Sequence, residues 1–160
     1  MRIVSMAAAL LLAACGGPPV TINADVSDAD LAPYRQAGTS VVFGQGFLRQ
    51  QGGGVVTCAG EQVLLMPDLP PIRQAIEAYR HGSQVTMTGR SWDNTARKTT
   101  CDAQGNFRFE GLPVANWYVG TEVRWQVGYA VQGGSLGSPV ATRQGETTQV
   151  LLTDANFIAR

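Results

Sequence analysis

Residues 101–119 read Cys-Asp-Ala-Gln-Gly-Asn-Phe-Arg-Phe-Glu-Gly-Leu-Pro-Val-Ala-Asn-Trp-Tyr-Val. Physically this is a turn, a strand, a second turn and the start of another strand. Asp102 offers a short side-chain acceptor and Gly105 a residue free to take positive φ, which is what a tight turn requires. Phe107 and Phe109 then alternate with Asn106, Arg108 and Glu110, so two rings face a core while three polar side chains face water. Leu112-Pro113 ends the strand, because proline has no donor for the ladder, and the chain returns through Trp117 and Tyr118.

The flanking sequence repeats this β pattern. Trp117, Val119, Val123, Trp125, Val127, Tyr129 and Val131 share one face, and Glu122, Arg124, Gln126 and Gln132 the other, which describes a half-buried antiparallel strand. At about fifteen residues it exceeds ordinary strand length, so a bend or bulge near Gly120 or Gly128 is expected. Val140 to Arg143 and Thr147 to Thr153, separated by Gln144-Gly145-Glu146, read as a closing hairpin. Upstream, Val41 to Phe43 with Phe47 and Leu48, then Val55 to Cys58, then Gln62 to Met66, read as short strands broken at Gly52-Gly53-Gly54 and at Ala59-Gly60-Glu61. One helix interrupts them at 71–81, where Ile72, Ala75, Ile76 and Tyr79 follow helical spacing, Pro70-Pro71 suits the first turn and Gly82 the left-handed position past the end.

The 160 residues carry 12 basic and 12 acidic side chains. That balance offers no basic surface for nucleic acid. Residues 1–14 begin with Arg2 and continue as an apolar stretch too short to span a bilayer, the pattern of a cleaved export signal. Residues 15–38, with Pro18-Pro19 and scattered Asp25, Asp28 and Asp30, are expected to form a flexible tether with one helical turn near Ser27 to Leu31. Residues 39–160 are left to form the domain. In an exported chain the remaining cysteines, Cys58 and Cys101, are expected to pair. Closing that loop would contribute about 4 kcal/mol in the chain-entropy model. The alternatives are two buried free thiols or pairing between molecules.

Leu12-Ala13-Ala14-Cys15 resembles the lipobox of bacterial lipoproteins. The resemblance implies cleavage before Cys15, a diacylglycerol on its thiol and, with Gly16 following, sorting to the outer membrane facing the periplasm. The alternative is an ordinary signal peptide, or a buried N-terminal helix, with Cys15 unmodified. The 101–119 stretch resembles the carboxypeptidase regulatory-like domain, a transthyretin-like (prealbumin-like) sandwich, through Asp102, Gly105, Phe107, Phe109, Leu112, Pro113 and Tyr118. Gly60 and the Val63 to Pro67 strand extend the likeness, and the helix at 71–81 is an insertion. Ala115 stands where that family usually has glycine, so the turn is expected to place Asn116 in the left-handed region. The resemblance implies a mainly β, antiparallel Greek-key sandwich of about seven strands with one short inserted helix, and it carries no catalytic residue.

Catalytic readings find little to rest on. His81 is the sole histidine and falls at a helix end, where a partly charged imidazole suits the dipole. A hydrolytic zinc site needs two or three such ligands, so neither a metal nor another cofactor is expected. No nucleophile elbow occurs, Gly52-Gly53-Gly54 lacks the lysine of a phosphate loop, and the ending Asn-Phe-Ile-Ala-Arg departs from that of the hydroxyisourate hydrolases on the transthyretin fold. Trp117 and Trp125 lie on the core face. Trp92, in a polar loop, is either a ligand contact or the cover of a core edge. The reading is therefore a non-enzymatic, membrane-anchored envelope lipoprotein binding a protein or glycan; the alternatives are a structural spacer without a ligand and a cryptic hydrolase using His81.

Overall fold

A computed structural model of the chain describes residues 17–89 and 92–159. The signal segment 1–14 and Cys15 lie outside the described residues. In order, the elements are β1 (Val20–Asn23), α1 (Asp28–Arg35), β2 (Ser40–Arg49), β3 (Val55–Thr57), β4 (Gln62–Pro67), α2 (Pro70–Arg80), β5 (Val85–Thr88), β6 (Arg97–Thr100), β7 (Asn106–Leu112), β8 (Asn116–Val127), β9 (Ala130–Ala141), β10 (Thr147–Leu152) and β11 (Phe157–Ala159).

Two sheets face each other. One places β10 against β2, which also pairs with β3 and β7; the other runs β11-β9-β8-β4-β6. The period-2 patterns decide which side chains meet between them. Phe107 and Phe109 of β7, Val42 and Leu48 of β2, and Val150 and Leu152 of β10 are buried from one side, and Val63, Leu65, Trp117, Val119 and Val123 from the other. Each fully buried aliphatic side chain contributes roughly 1.5–3 kcal/mol of transfer free energy. Cys58, just past β3, and Cys101, just past β6, form a disulfide with Cα atoms 5.7 Å apart, tying the two sheets together. The 102–105 turn forms as its residues imply: Asp102 accepts from the N–H groups of Gln104 at 2.9 Å and Asn106 at 2.8 Å, and Gly105 takes φ 80°.

The helix foreseen at 71–81 is α2, with proline in its first turn and Gly82 at φ 72° just beyond it. It lies over the outer face of the five-stranded sheet. Ile72, Ala75 and Ile76 are buried beneath it, as their spacing dictates.

Four expectations are corrected. Residues 15–38 are not a loose tether in their described part: β1 pairs in parallel with β5, and α1 buries Leu31 and Tyr34, so Asp28 and Asp30 are first-turn helix residues rather than free linker charges. Ser27 caps that helix by accepting from the Asp30 N–H at 3.2 Å. The long alternating strand ends at Val127, and Gly128-Tyr129 turn it into the β8–β9 hairpin, leaving Tyr129 and Val131 exposed. The closing hairpin does not form, since β10 crosses to the other sheet and pairs in parallel with β2, Val150 opposite Gly44. Asn116 is not left-handed; every positive φ among the described residues belongs to glycine, including Gly111 at 66°.

Candidate functional site

The even-numbered residues of β8 decide where a site can form. Trp117, Val119, Thr121 and Val123 point inward, so Tyr118, Gly120, Glu122 and Arg124 line the outer face. That face is only partly covered. Met66 and Tyr118 are packed near α2, and α2 together with the β1–β5 ribbon leaves a groove of about 700 Å³.

Its apolar lining comes from Leu64 and Met66 of β4, from Ile72, Ile76 and Tyr79 of α2, and from Val85 and Met87 of β5. Glycine at 120 keeps part of the sheet face free of side-chain bulk. Polar groups gather around Glu122: Arg124 Nε lies 2.9 Å from Glu122 Oε2, and Ser135 Oγ donates to Glu122 Oε1 at 3.3 Å. Glu122 and Arg124 are each about half exposed, so their pairing adds little stability and both remain available to a ligand. Glu61 and Gln62 extend the polar lining, while Thr121 is committed elsewhere, donating to the Gln62 carbonyl at 3.0 Å.

Tyr118 meets Arg80 under α2, with Arg80 Nη2 donating to its hydroxyl at 3.4 Å. Burial pushes the Tyr118 phenol up from its ordinary value, against the opposing pull of the Arg80 charge. A neutral hydroxyl is therefore what the outer face presents there. Tyr34 is raised likewise, by burial first and then by the charge of Asp68.

The residues singled out from sequence separate. Trp92 is not an exposed loop contact: it is 5 % exposed and belongs to the core cluster, reaching the groove only as part of its wall. The polar setting of its neighbours in sequence misleads, because the turn that carries it, closed by the Thr95 N–H donating to the Trp92 carbonyl at 2.8 Å, folds the indole inward. His81 sits at the end of α2 with its side chain 73 % exposed, and its Nε2 lies 3.0 Å from Glu77 Oε1. No serine is placed beside it by a hydrogen bond among the described residues, and no group of three or more His, Cys, Asp or Glu converges there. Sequence reasoning missed Tyr79 and the Glu122–Arg124–Ser135 cluster as site residues. The spacing of Tyr79 on the apolar face of α2 was visible, but a helix roofing an outer sheet face was not.

Fold and groove together define a disulfide-tied, two-sheet β-sandwich with a helix-roofed groove on one outer face. No family model and no curated protein matches the chain. Among solved structures, the chain resembles a candidate carbohydrate-binding protein from Pseudomonas aeruginosa, with TM-score 0.68 and 22% identity over 81% of this chain and 97% of that one. At that identity the likeness establishes the fold. Chlorocatechol 1,2-dioxygenase from Pseudomonas putida also aligns, at 12% identity over 86% of this chain and 70% of that one, but its TM-score of 0.30 carries no argument.

Proposed function

We propose that this chain is a non-enzymatic glycan-binding module of the bacterial envelope, using the groove beneath α2 and held to the outer membrane, on its periplasmic side, by lipid on Cys15. The observation that carries the reading is the groove's mixed lining. Tyr79, 39 % exposed, and the Leu64–Met66 strip offer apolar surface to the C–H face of a sugar ring, while Glu122, Arg124 and Ser135 supply acceptors and donors for its hydroxyls. The Pseudomonas aeruginosa structural neighbour, itself a candidate carbohydrate binder, supports this ligand class. The Leu12-Ala13-Ala14-Cys15-Gly16 sequence supports the anchor, and the disulfide suits an oxidising compartment. The resemblance of residues 101–119 to the carboxypeptidase regulatory-like domain supports reading the sandwich as a module without catalytic residues of its own.

The test is calorimetric titration of the mature protein carrying Cys15→Ser with a panel of envelope oligosaccharides. Saturable binding to one glycan class is expected, with Tyr79→Ala and Arg124→Ala each weakening it about tenfold, or 1.4 kcal/mol. Absence of saturable binding across the panel would overturn the glycan reading and leave a structural spacer.

A further inference from the structure

Gly17 is already fastened to the folded domain. Its N–H donates to the Gly82 carbonyl at 3.2 Å, and a Cβ added there would lie 2.5 Å from Ser83 Oγ and 2.8 Å from the His81 carbonyl oxygen. After it come Pro18 and Pro19, whose rings fix φ. The Val20 N–H then donates to the Gln84 carbonyl at 2.8 Å, and β1 runs on alongside β5. No slack separates Gly17 from the sandwich. Cys15 stands two residues upstream, and two residues span at most about 7 Å of extended chain.

We infer that the C-terminal end of α2, from Tyr79 to Gly82, is the membrane-facing surface of the domain, seated on phospholipid headgroups by the anchor on Cys15. The inference rests on the lipidation proposed above and is independent of glycan binding. The chemistry of this end suits a lipid interface. Tyr79 is partly exposed, and tyrosine favours the headgroup level of a bilayer. Arg80 and His81 have side chains 45% and 73% exposed, and a guanidinium can reach a phosphate while its stem stays on apolar surface. The acid at this end, Glu77, lies 3.7 Å from the Arg80 guanidinium, so its charge is locally matched. Because Tyr79 also lines the groove, one part of that groove lies beside the bilayer.

The full chain, processed and lipidated in bacteria, would be reconstituted into phosphatidylethanolamine–phosphatidylglycerol vesicles containing a headgroup-attached nitroxide quencher. An environment-sensitive fluorophore is placed at His81→Cys, with Arg80→Cys as a second reporter should the first not fold. Asp28→Cys serves as the distant control, since β1 carries the chain away from Gly17 at about 3.3 Å per residue. Quenching at position 81 should exceed that at 28 by at least about twofold, and inserting about twelve Gly/Ser residues between Gly16 and Gly17 should abolish the difference. Equal quenching at the two positions, or indifference to the insertion, overturns the inference. The mass of the N-terminal Cys15 peptide distinguishes the two failures: an unmodified thiol sinks the anchor itself, whereas a lipidated peptide with equal quenching sinks only the orientation.

Discussion

The rings of Tyr34 and Trp117 meet edge to face, with centroids 5.0 Å apart and an interplanar angle of 82°. Through this contact α1 closes one end of the sandwich over the start of β8. Aromatic pairs of this geometry add about 0.5–1.5 kcal/mol beyond their buried area. Tyr34→Ala should therefore lower stability by about 3 kcal/mol, read from the urea midpoint at unchanged slope. A loss below about 0.5 kcal/mol would mean that α1 is a dispensable appendage, as a tether would be.

Trp92 yields a prediction that separates wall from contact. As a buried core residue, Trp92→Ala should cost about 3–5 kcal/mol of folding stability whether or not ligand is present, and Trp92→Phe considerably less. Denaturant unfolding of the two variants checks this. Unchanged stability in the alanine variant would return the side chain to the surface.

The Cys58–Cys101 bridge joins segments that follow strands in opposite sheets. Replacing both residues by alanine should destabilise the protein by up to about 4 kcal/mol, with the loss reproduced by reductant in the wild type and absent on adding reductant to the double variant. A double variant that still responded to reductant would contradict the pairing.

Asp102 gives the pH dependence its sign. The Asn106 side-chain amide, foremost, and then the Asn106 N–H hold the Asp102 carboxyl below the ordinary carboxylate range. With the folded value lowered, the unfolded chain binds more protons in the window just below pH 3.9, so this contribution is complete above that pH and is lost as pH falls through the folded value. Asp102→Asn keeps an Oδ1 acceptor for the turn but cannot titrate. Urea midpoints from about pH 5 to about pH 2.5 should fall more steeply for the wild type than for this variant. Parallel curves would refute the assignment.

Much of the fold was legible because it rests on local rules. The 102–105 turn, the inward Phe107 and Phe109, and the α2 spacing of Ile72, Ala75 and Ile76 all declare themselves within a few residues. What escaped was set by partners far away in sequence. α1 was expected only as one turn near Ser27 to Leu31; its continuation through Pro33 to Arg35 and its docking escaped, because Tyr34 is held by Trp117 more than eighty positions later. Val127, Tyr129 and Val131 continue the alternation past Gly128, so the strand's length and the glycine pointed to a bend or bulge there but not to a full reversal.

The sequence by itself determined strands β2, β3, β4, β7, β8 and β10, the inserted helix and the 102–105 turn, because alternation, helical spacing and glycine or proline placement act through neighbouring residues. Only the tertiary structure decided that β10 joins β2 in parallel, that Trp92 turns inward, and that α2 leaves a groove over Gly120 with Glu122 and Arg124 in its lining. Those outcomes depend on which apolar faces cover one another, and that choice is made by the free energy of the whole packed core, not by any one segment.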